Sequence, residues 1–422
     1  MNHSVKPRPL HKSEWVLNQV TDELNARPFP RFGLPTAVFR LCLAGAQARA
    51  SLRAALASRL SDIDWDSDVK LMRGSQDGVQ FNIEQHTEFV SLTIIDEKAD
   101  GVSPARHLPD DWLAHMAADI VVAVDCYCAP RGADSRDSWA CASRLEDGLA
   151  DVFFDFKVAE DGHTKIALDF DAGANVRDIG RLALQVIEIE TYRSFAALGL
   201  PQARQAQARL ADIAARVPAD ALGELSPQES NGEAGPSDAD RFGELSGLAA
   251  ELEAIWRDTS FRFAACQAYW ALVEARLASL GEAAFDRRIT IGGFLERRLQ
   301  PAIATYQSTE RQRHNLAEQI GNMTTLLQTR IELSLQRQNG ELLMSLNASA
   351  ARQLRLQHTV EGVSTVAISY YLVSLLAYPT DWLLAVQPSL NEDITRAALV
   401  AIIVPVVWLS IRRLLRASIS RK

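Results

Sequence analysis

A long run without proline constrains this chain more than any other feature. Pro301 and Pro379 bracket 77 residues, 302–378, in which no proline occurs. Proline removes a backbone donor and clashes inside a helix, so a long run of helix formers without it can stay helical. The run closes on an apolar segment, residues 360–378. A short polar loop follows, then a second apolar segment at 397–411 and a basic tail. The plan these features predict is a long stalk helix leading into a two-helix membrane hairpin.

Segment 360–378 holds 19 residues and one charge, Glu361, at its edge. At about 1.5 Å per residue it spans roughly 28 Å, close to the hydrocarbon thickness of a bilayer. Segment 397–411 holds 15 uncharged residues with Pro405 inside, and Arg396 and Arg412 flank it. Those arginines extend its reach by snorkelling. Arg352 and Arg355 precede the first segment, and Arg412, Arg413, Arg416, Arg421 and Lys422 follow the second. The loop between carries Asp381, Glu392, Asp393 and Arg396. Positive residues stay inside, so both ends are expected in the cytoplasm, in a multi-pass protein of the inner membrane. Trp382 and Trp408 suit interfacial positions.

Within the first segment Gly362, Thr365 and Ser369 share a helical face, and Tyr370, Ser374 and Tyr378 form a neighbouring stripe. With Glu361 they make the candidate face of the membrane helix, suited to close helix packing or to a polar lining.

The stalk sets Leu316, Ile320, Met323 and Leu327 at 4-3-4 spacing, a heptad seam. Ile331 and Leu335 step by four, a stutter, and Leu342 and Leu346 resume the seam. A seam of that length predicts a coiled coil, closed with residues 248–280 or with copies of itself. A homo-oligomer is expected.

The rest of the chain reads as an α+β cytoplasmic domain. After an irregular segment, 1–36, with a short helix around 14–24, strand 37–43 leads to helix 46–60. Strands 79–86 and 89–96, helix 110–119 and strand 120–126 follow. That β-α-β-β-α-β order predicts a split-βαβ arrangement. A hairpin, 152–158 and 164–170, and a helix, 175–198, complete domain 37–217. Residues 218–242 are acidic and punctuated by Pro218, Pro227 and Pro236, and read as a disordered linker. Residues 243–359 are the helical stalk region, with one helix over 248–280, a turn at Thr290 to Phe294 and a new helix up to Pro301. Residues 360–411 hold the two membrane helices, and 412–422 form the basic cytoplasmic tail.

A net charge of −9 argues against nucleic acid as partner. The lipid bilayer is the partner the sequence points to. No apolar signal segment is visible near Met1. The five cysteines, Cys42, Cys126, Cys128, Cys141 and Cys266, are an odd count and fit free buried thiols. Cys126 and Cys128 are expected on opposite faces of a strand, which makes them poor joint metal ligands. His107, Asp111 and His115 are four apart each, but Pro109 interrupts the helix that would align them, so no zinc site is expected. No phosphate-cradling glycine loop, nucleophile elbow or paired metal motif is present. No cofactor is assigned, and an enzyme is not the expected class.

Three motifs carry a resemblance. They are Asn25-Ala26-Arg27-Pro28-Phe29, the run Gly293-Phe294-Leu295-Glu296-Arg297-Arg298-Leu299-Gln300-Pro301, and Arg355-Leu356-Gln357-His358-Thr359-Val360-Glu361-Gly362-Val363-Ser364 with Ala367-Ile368-Ser369-Tyr370-Tyr371. In these the chain resembles the bacterial membrane-anchored proteins grouped as domain of unknown function 3422. The resemblance implies membrane anchorage and no established activity. The plan also resembles the CorA-type magnesium channels, which carry Gly-Met-Asn just after the first membrane helix. That place here reads Ala377-Tyr378-Pro379-Thr380. The sequence therefore predicts a non-enzymatic membrane-anchored oligomer whose cytoplasmic domain binds a partner or ligand. The alternative is a CorA-like cation channel lacking that motif, and ion flux in vesicles separates the two.

Overall fold

The structure is a computed structural model that describes residues 29–60, 63, 70–98, 101–132, 136–218, 237–386 and 392–419. The expected helix near 14–24 and most of the acidic linker lie outside those residues. The chain divides into two compact units. The first holds the sheet and the helices up to Met323, and the second comprises Asn231–Phe242 and Thr324–Lys422.

The first unit is organised by a nine-stranded sheet of order β2-β3-β4-β1-β5-β8-β7-β6-β9. The strands are β1 (Thr36–Ala44), β2 (Leu71–Gln76), β3 (Val79–Gln85), β4 (Phe89–Asp96), β5 (Ile120–Pro130), β6 (Cys141–Leu145), β7 (Ala150–Val158), β8 (Thr164–Phe170) and β9 (Ala283–Ala284). β5 and β8 run parallel, and the other neighbours are antiparallel.

β1 is buried on both faces. Its side chains alternate, as a strand requires. Val38 and Cys42 enter a core shared with α3 (Val176–Ala197), through Ile179, Leu182, Val186 and Phe195. Phe39, Leu41 and Leu43 face the opposite core, built with Leu52 and Leu56 of α1 (Ala48–Leu56). The short α2 (Asp110–His115) borders that second core through Trp112 and Leu113. α4 (Leu200–Arg216) starts with Pro201 in its first turn, where a missing N–H leaves no helical bond unmade.

The strands expected of the split-βαβ arrangement are β1, β3, β4 and β5. They pair in the order β3-β4-β1-β5 with antiparallel neighbours, Phe39 opposite Ile94, so β1 runs parallel to β3 with β4 between them, as that motif requires. The unforeseen strand β2 adds beside β3. Its sequence, Leu-Met-Arg-Gly-Ser-Gln, lies at the edge of the sheet and carries neither a β-branched run nor clean alternation.

α5 (Asp238–Ser279) begins ahead of the expected 248. Ser237 Oγ accepts from Asp240 N at 3.2 Å, and Asp240 Oδ2 accepts from Ser237 N at 3.1 Å, a reciprocal cap that starts the helix there.

α6 runs unbroken over Ile291–Val386. The expected turn at Gly292 and Gly293 is instead its first turn. Ser143 Oγ accepts from Ile291 N at 2.9 Å, Glu282 Oε2 from Gly292 N at 3.0 Å and Thr290 Oγ1 from Gly293 N at 3.1 Å. Three amides that a helix start leaves without partners are thereby satisfied. A Cβ on Gly292 would lie 2.5 Å from Glu282 Oε2, so the glycine serves the approach of the carboxylate rather than a turn. The expected loop after Tyr378 is also corrected, because the helix passes through Pro379. Thr380 Oγ1 donates to the carbonyls of Leu376 and Ala377 at 3.0 and 2.8 Å, adding donors to the turn that proline depletes. α7 (Glu392–Ile419) completes the second unit and contains Pro405.

Candidate functional site

In the second unit the anticipated membrane face is brought together only in part. Thr365 and Ser369 are buried, whereas Gly362, Tyr370 and Ser374 are exposed. Thr365 Oγ1 donates to the Glu361 carbonyl at 2.8 Å. Ser369 Oγ is buried and has no hydrogen-bond partner among the described residues. Glu361 is a quarter exposed, and its Oε2 lies 3.4 Å from His358 Nδ1, one helical turn back. On α7, Ile403 and Val407, also four apart, are the buried pair. One described helix is long and apolar enough to cross a membrane, within Ile291–Thr380, and only 6% of its apolar window is buried. Arg396–Ile411 is a shorter apolar stretch.

The sheet unit holds a second candidate, which grows from one charge in an apolar strand. Arg40 lies between Phe39 and Leu41 and is buried with the core side of β1. Its guanidinium donates to Ser91 Oγ at 3.0 Å and Thr93 Oγ1 at 3.5 Å, and pairs with Glu84 at 3.4 Å. Arg40 Nε is buried without a partner among the described residues. Burial disfavours the charge, but the Cys42, Glu84 and Glu188 side chains outweigh it and hold the guanidinium firmly protonated.

From Glu84 the polar groups continue along the β3–β4 hairpin. His86 lies 3.4 Å from both Glu84 Oε2 and Ser91 Oγ, and its ring stacks on Phe89 at 4.1 Å. Glu88 sits at the tip. Its Oε2 accepts from Arg262 Nη1 at 3.2 Å and from Tyr269 Oη at 3.0 Å, both on α5. Its Oε1 is buried and has no hydrogen-bond partner among the described residues. Burial and the Glu88 charge raise the Tyr269 phenol well above its ordinary value. These groups border a cleft of about 460 Å³. Gly45, Ala46 and Arg49 form one wall, residues 85–90 the second, and Phe261 with Arg262 the third. Arg49 Nη1 donates to Gln85 Oε1 at 2.6 Å across it. Size and lining suit a small polar molecule with an apolar part.

A third cluster surrounds Asp125, buried on β5. Its carboxylate accepts from Ser103 Oγ, from His163 Nδ1 at 2.8 Å and from Lys165 Nζ at 2.6 Å. Burial pushes this carboxyl up, but the hydrogen bonds from His163, Lys165 and Ser103 more than offset it and leave it below the usual carboxylate range. Asp125, Asp161 and His163 each bring one ligand atom within 4.8 Å of the others. Lys165 Nζ lies 2.6 Å from an oxygen of both aspartates, so an ammonium stands where a metal cation would.

Two sequence readings concern metals. Cys126 and Cys128 share a face of β5, not opposite faces, because side chains two apart on a strand point the same way. Both lie in the core beside α3, and the hydrogen bond with the Cys128 thiol, together with burial, raises the Cys126 thiol. His107 is in a short 3-10 turn, Pro104–His107, with Nε2 3.0 Å from Asp96 Oδ2. Asp111 and His115 belong to α2, so the three do not share one helix. Sequence reasoning missed Glu88, Arg262 and Asp125. The available signal was a single charge inside an apolar strand, Arg40 in β1 and Asp125 in β5, which demands buried partners.

Mixed sheet, long helices and an apolar helix define an α+β protein with a membrane-compatible helix. The chain belongs to the family described as protein of unknown function (DUF3422), whose model matches residues 17–418. No curated protein and no solved structure matches it.

Proposed function

We propose that this chain is a membrane-anchored, non-enzymatic homo-oligomer whose sheet unit binds a ligand or partner in the cytoplasm. The observation that carries the reading is the change in burial along α6. Leu316, Ile320, Met323 and Leu327 are buried within the chain. Beyond them Leu333, Leu335, Leu342, Leu343, Met344 and Leu346 are each at least half exposed. Of these, Leu335, Leu342 and Leu346 share one helical face, and an apolar stripe on an uncovered helix calls for a partner helix. Parallel copies of the same helix, held in one membrane, supply it without any new surface.

Membrane anchorage rests on the exposed apolar end of α6 and the apolar part of α7, and orientation rests on the arginines at 412, 413, 416 and 421. The buried pairs Thr365 with Ser369 and Ile403 with Val407 fit two helices returning face to face as a hairpin. Light scattering in detergent tests the reading. More than one chain per particle is expected, and a single chain per micelle would overturn it.

A further inference from the structure

We propose that two copies of this chain wind α6 into a parallel, in-register coiled coil, with Asn339 set against its own counterpart across the seam. The inference rests on the anchored-oligomer reading and names the number of chains, their direction and their register. Leu335, Leu342, Ser349, Leu356 and Val363 recur every seven residues, and Asn339, Leu346, Gln353 and Val360 each follow one of them by four. That alternation of four and three is a heptad seam, with the first set at d and the second at a. Its leucines and valines are all between 53% and 67% exposed, so no described part of the chain covers it. The five charged residues within 335–363, Arg337, Glu341, Arg352, Arg355 and Glu361, all lie off it.

The occupant follows from the seam itself. It passes without a break from the stalk into the apolar segment that begins at Val360. A covering helix must turn from polar to apolar at the same height, which a parallel copy of α6 does by construction. Asn339 fixes the register. Its amide both donates and accepts, so two asparagines at one level bond each other, whereas a copy shifted by a heptad would set Asn339 against Leu346. Leucine at d, at 335, 342 and 356, with Asn339 and Val360 at a, is the two-stranded combination. Thr365 and Ser369 are already buried within the chain and, at about 100° per residue, point roughly away from Val363 and Ala367. Covering that pair and covering the seam therefore do not compete. Two helices packed about 8–10 Å apart leave no aqueous path between them, so the seam is an adhesive surface and not a pore wall.

The test combines cysteine cross-linking with light scattering on the full-length protein in detergent. The five native cysteines are buried and free, and the unmodified protein serves as the blank for them. Asn339→Cys, Leu346→Cys and Met344→Cys are oxidised in parallel and run on a denaturing gel. Identical residues join only where their Cα atoms come within about 7 Å, so the variants at 339 and 346 are expected to cross-link into pairs roughly tenfold faster than the one at 344, which points away from the seam. Leu346→Cys keeps the test valid where the loss of Asn339 itself shifts the register. Light scattering should give two chains per particle. Equal cross-linking at Met344→Cys, or none at Asn339→Cys and Leu346→Cys, overturns the parallel in-register seam. Three or more chains per particle overturns the two-stranded assembly and leaves the anchored oligomer standing. A single chain per particle removes the anchored-oligomer reading as well, so the two failures are distinct.

Discussion

The carbonyl of Pro30 lies against Gly180 of α3 so closely that a β-carbon there would stand 1.8 Å from the Pro30 oxygen. The chain entering the sheet is thus seated on α3 through a position only glycine can occupy. Gly180→Ala is expected to destabilise by about 1–3 kcal/mol or more, since the obstacle is backbone that cannot swing aside. Thermal unfolding in detergent measures this. Gly340→Ala is the control, because a Cβ there meets nothing within 4 Å and the helix gains roughly 0.5–1 kcal/mol of propensity.

Leu327 and Leu342 lie on the same helix and seam but differ in burial, 1% against 60% exposed. Leu327→Glu buries a charge within one chain and should lower the melting temperature sharply. Leu342→Glu should leave the fold intact and reduce the particle mass in light scattering. Equal thermal loss in both variants would show that the seam is covered alike at both positions.

Glu282 is expected to set the start of α6. Glu282→Ala removes the acceptor for Gly292 N and for Ser143 Oγ and should cost about 1 kcal/mol, the usual worth of a helix cap. Hydrogen exchange should rise at the amides of Ile291 and Gly292, with protection around Tyr306 unchanged.

Asp125 predicts an acid limb to stability. Its folded pKa is depressed below the unfolded value of about 3.9. Its contribution is therefore complete above that unfolded value and is lost as pH falls through the lower folded one. Asp125→Asn should flatten this limb in a plot of melting temperature against pH. An unchanged acid limb would assign it to other carboxylates, Asp96 first, whose pKa is also lowered despite burial, by His107, Lys98 and Arg106.

A reporter active only outside the cytoplasm, fused after Lys422, should remain silent. The arginines beyond residue 411 motivate this expectation. A strong signal would reverse the proposed orientation.

Where a local pattern carries its own physics, the sequence was readable. β4, Phe-Val-Ser-Leu-Thr-Ile-Ile-Asp, and the valine-rich start of β5 are buried apolar runs that announce strands. The helix after Asn175 was legible because that side chain caps the amides of Arg177 and Asp178. β2 and the two-residue β9 were not legible, since pairing with a neighbour rather than their own composition makes them strands. The start of α6 was hidden for a related reason. Gly292 and Gly293 look like a turn until Glu282 and Ser143 arrive, one of them about 150 residues earlier in the chain. The cleft was invisible because Arg49, Glu88 and Arg262 meet only through tertiary structure.

The change in burial between Leu327 and Leu333 also marks where a single chain stops covering its own leucines. A fragment ending near residue 330 would keep the covered leucines and discard the bare ones, and would behave as a water-soluble body for crystallisation or spectroscopy. One ending near 356 would carry Leu333, Leu335, Leu342, Leu343, Met344, Leu346, Leu354 and Leu356 into water, all exposed. It would draw copies of itself together although it contains none of the apolar segment that follows. Choosing the cut therefore decides which of two materials is purified, and the line between them runs through the middle of a single helix.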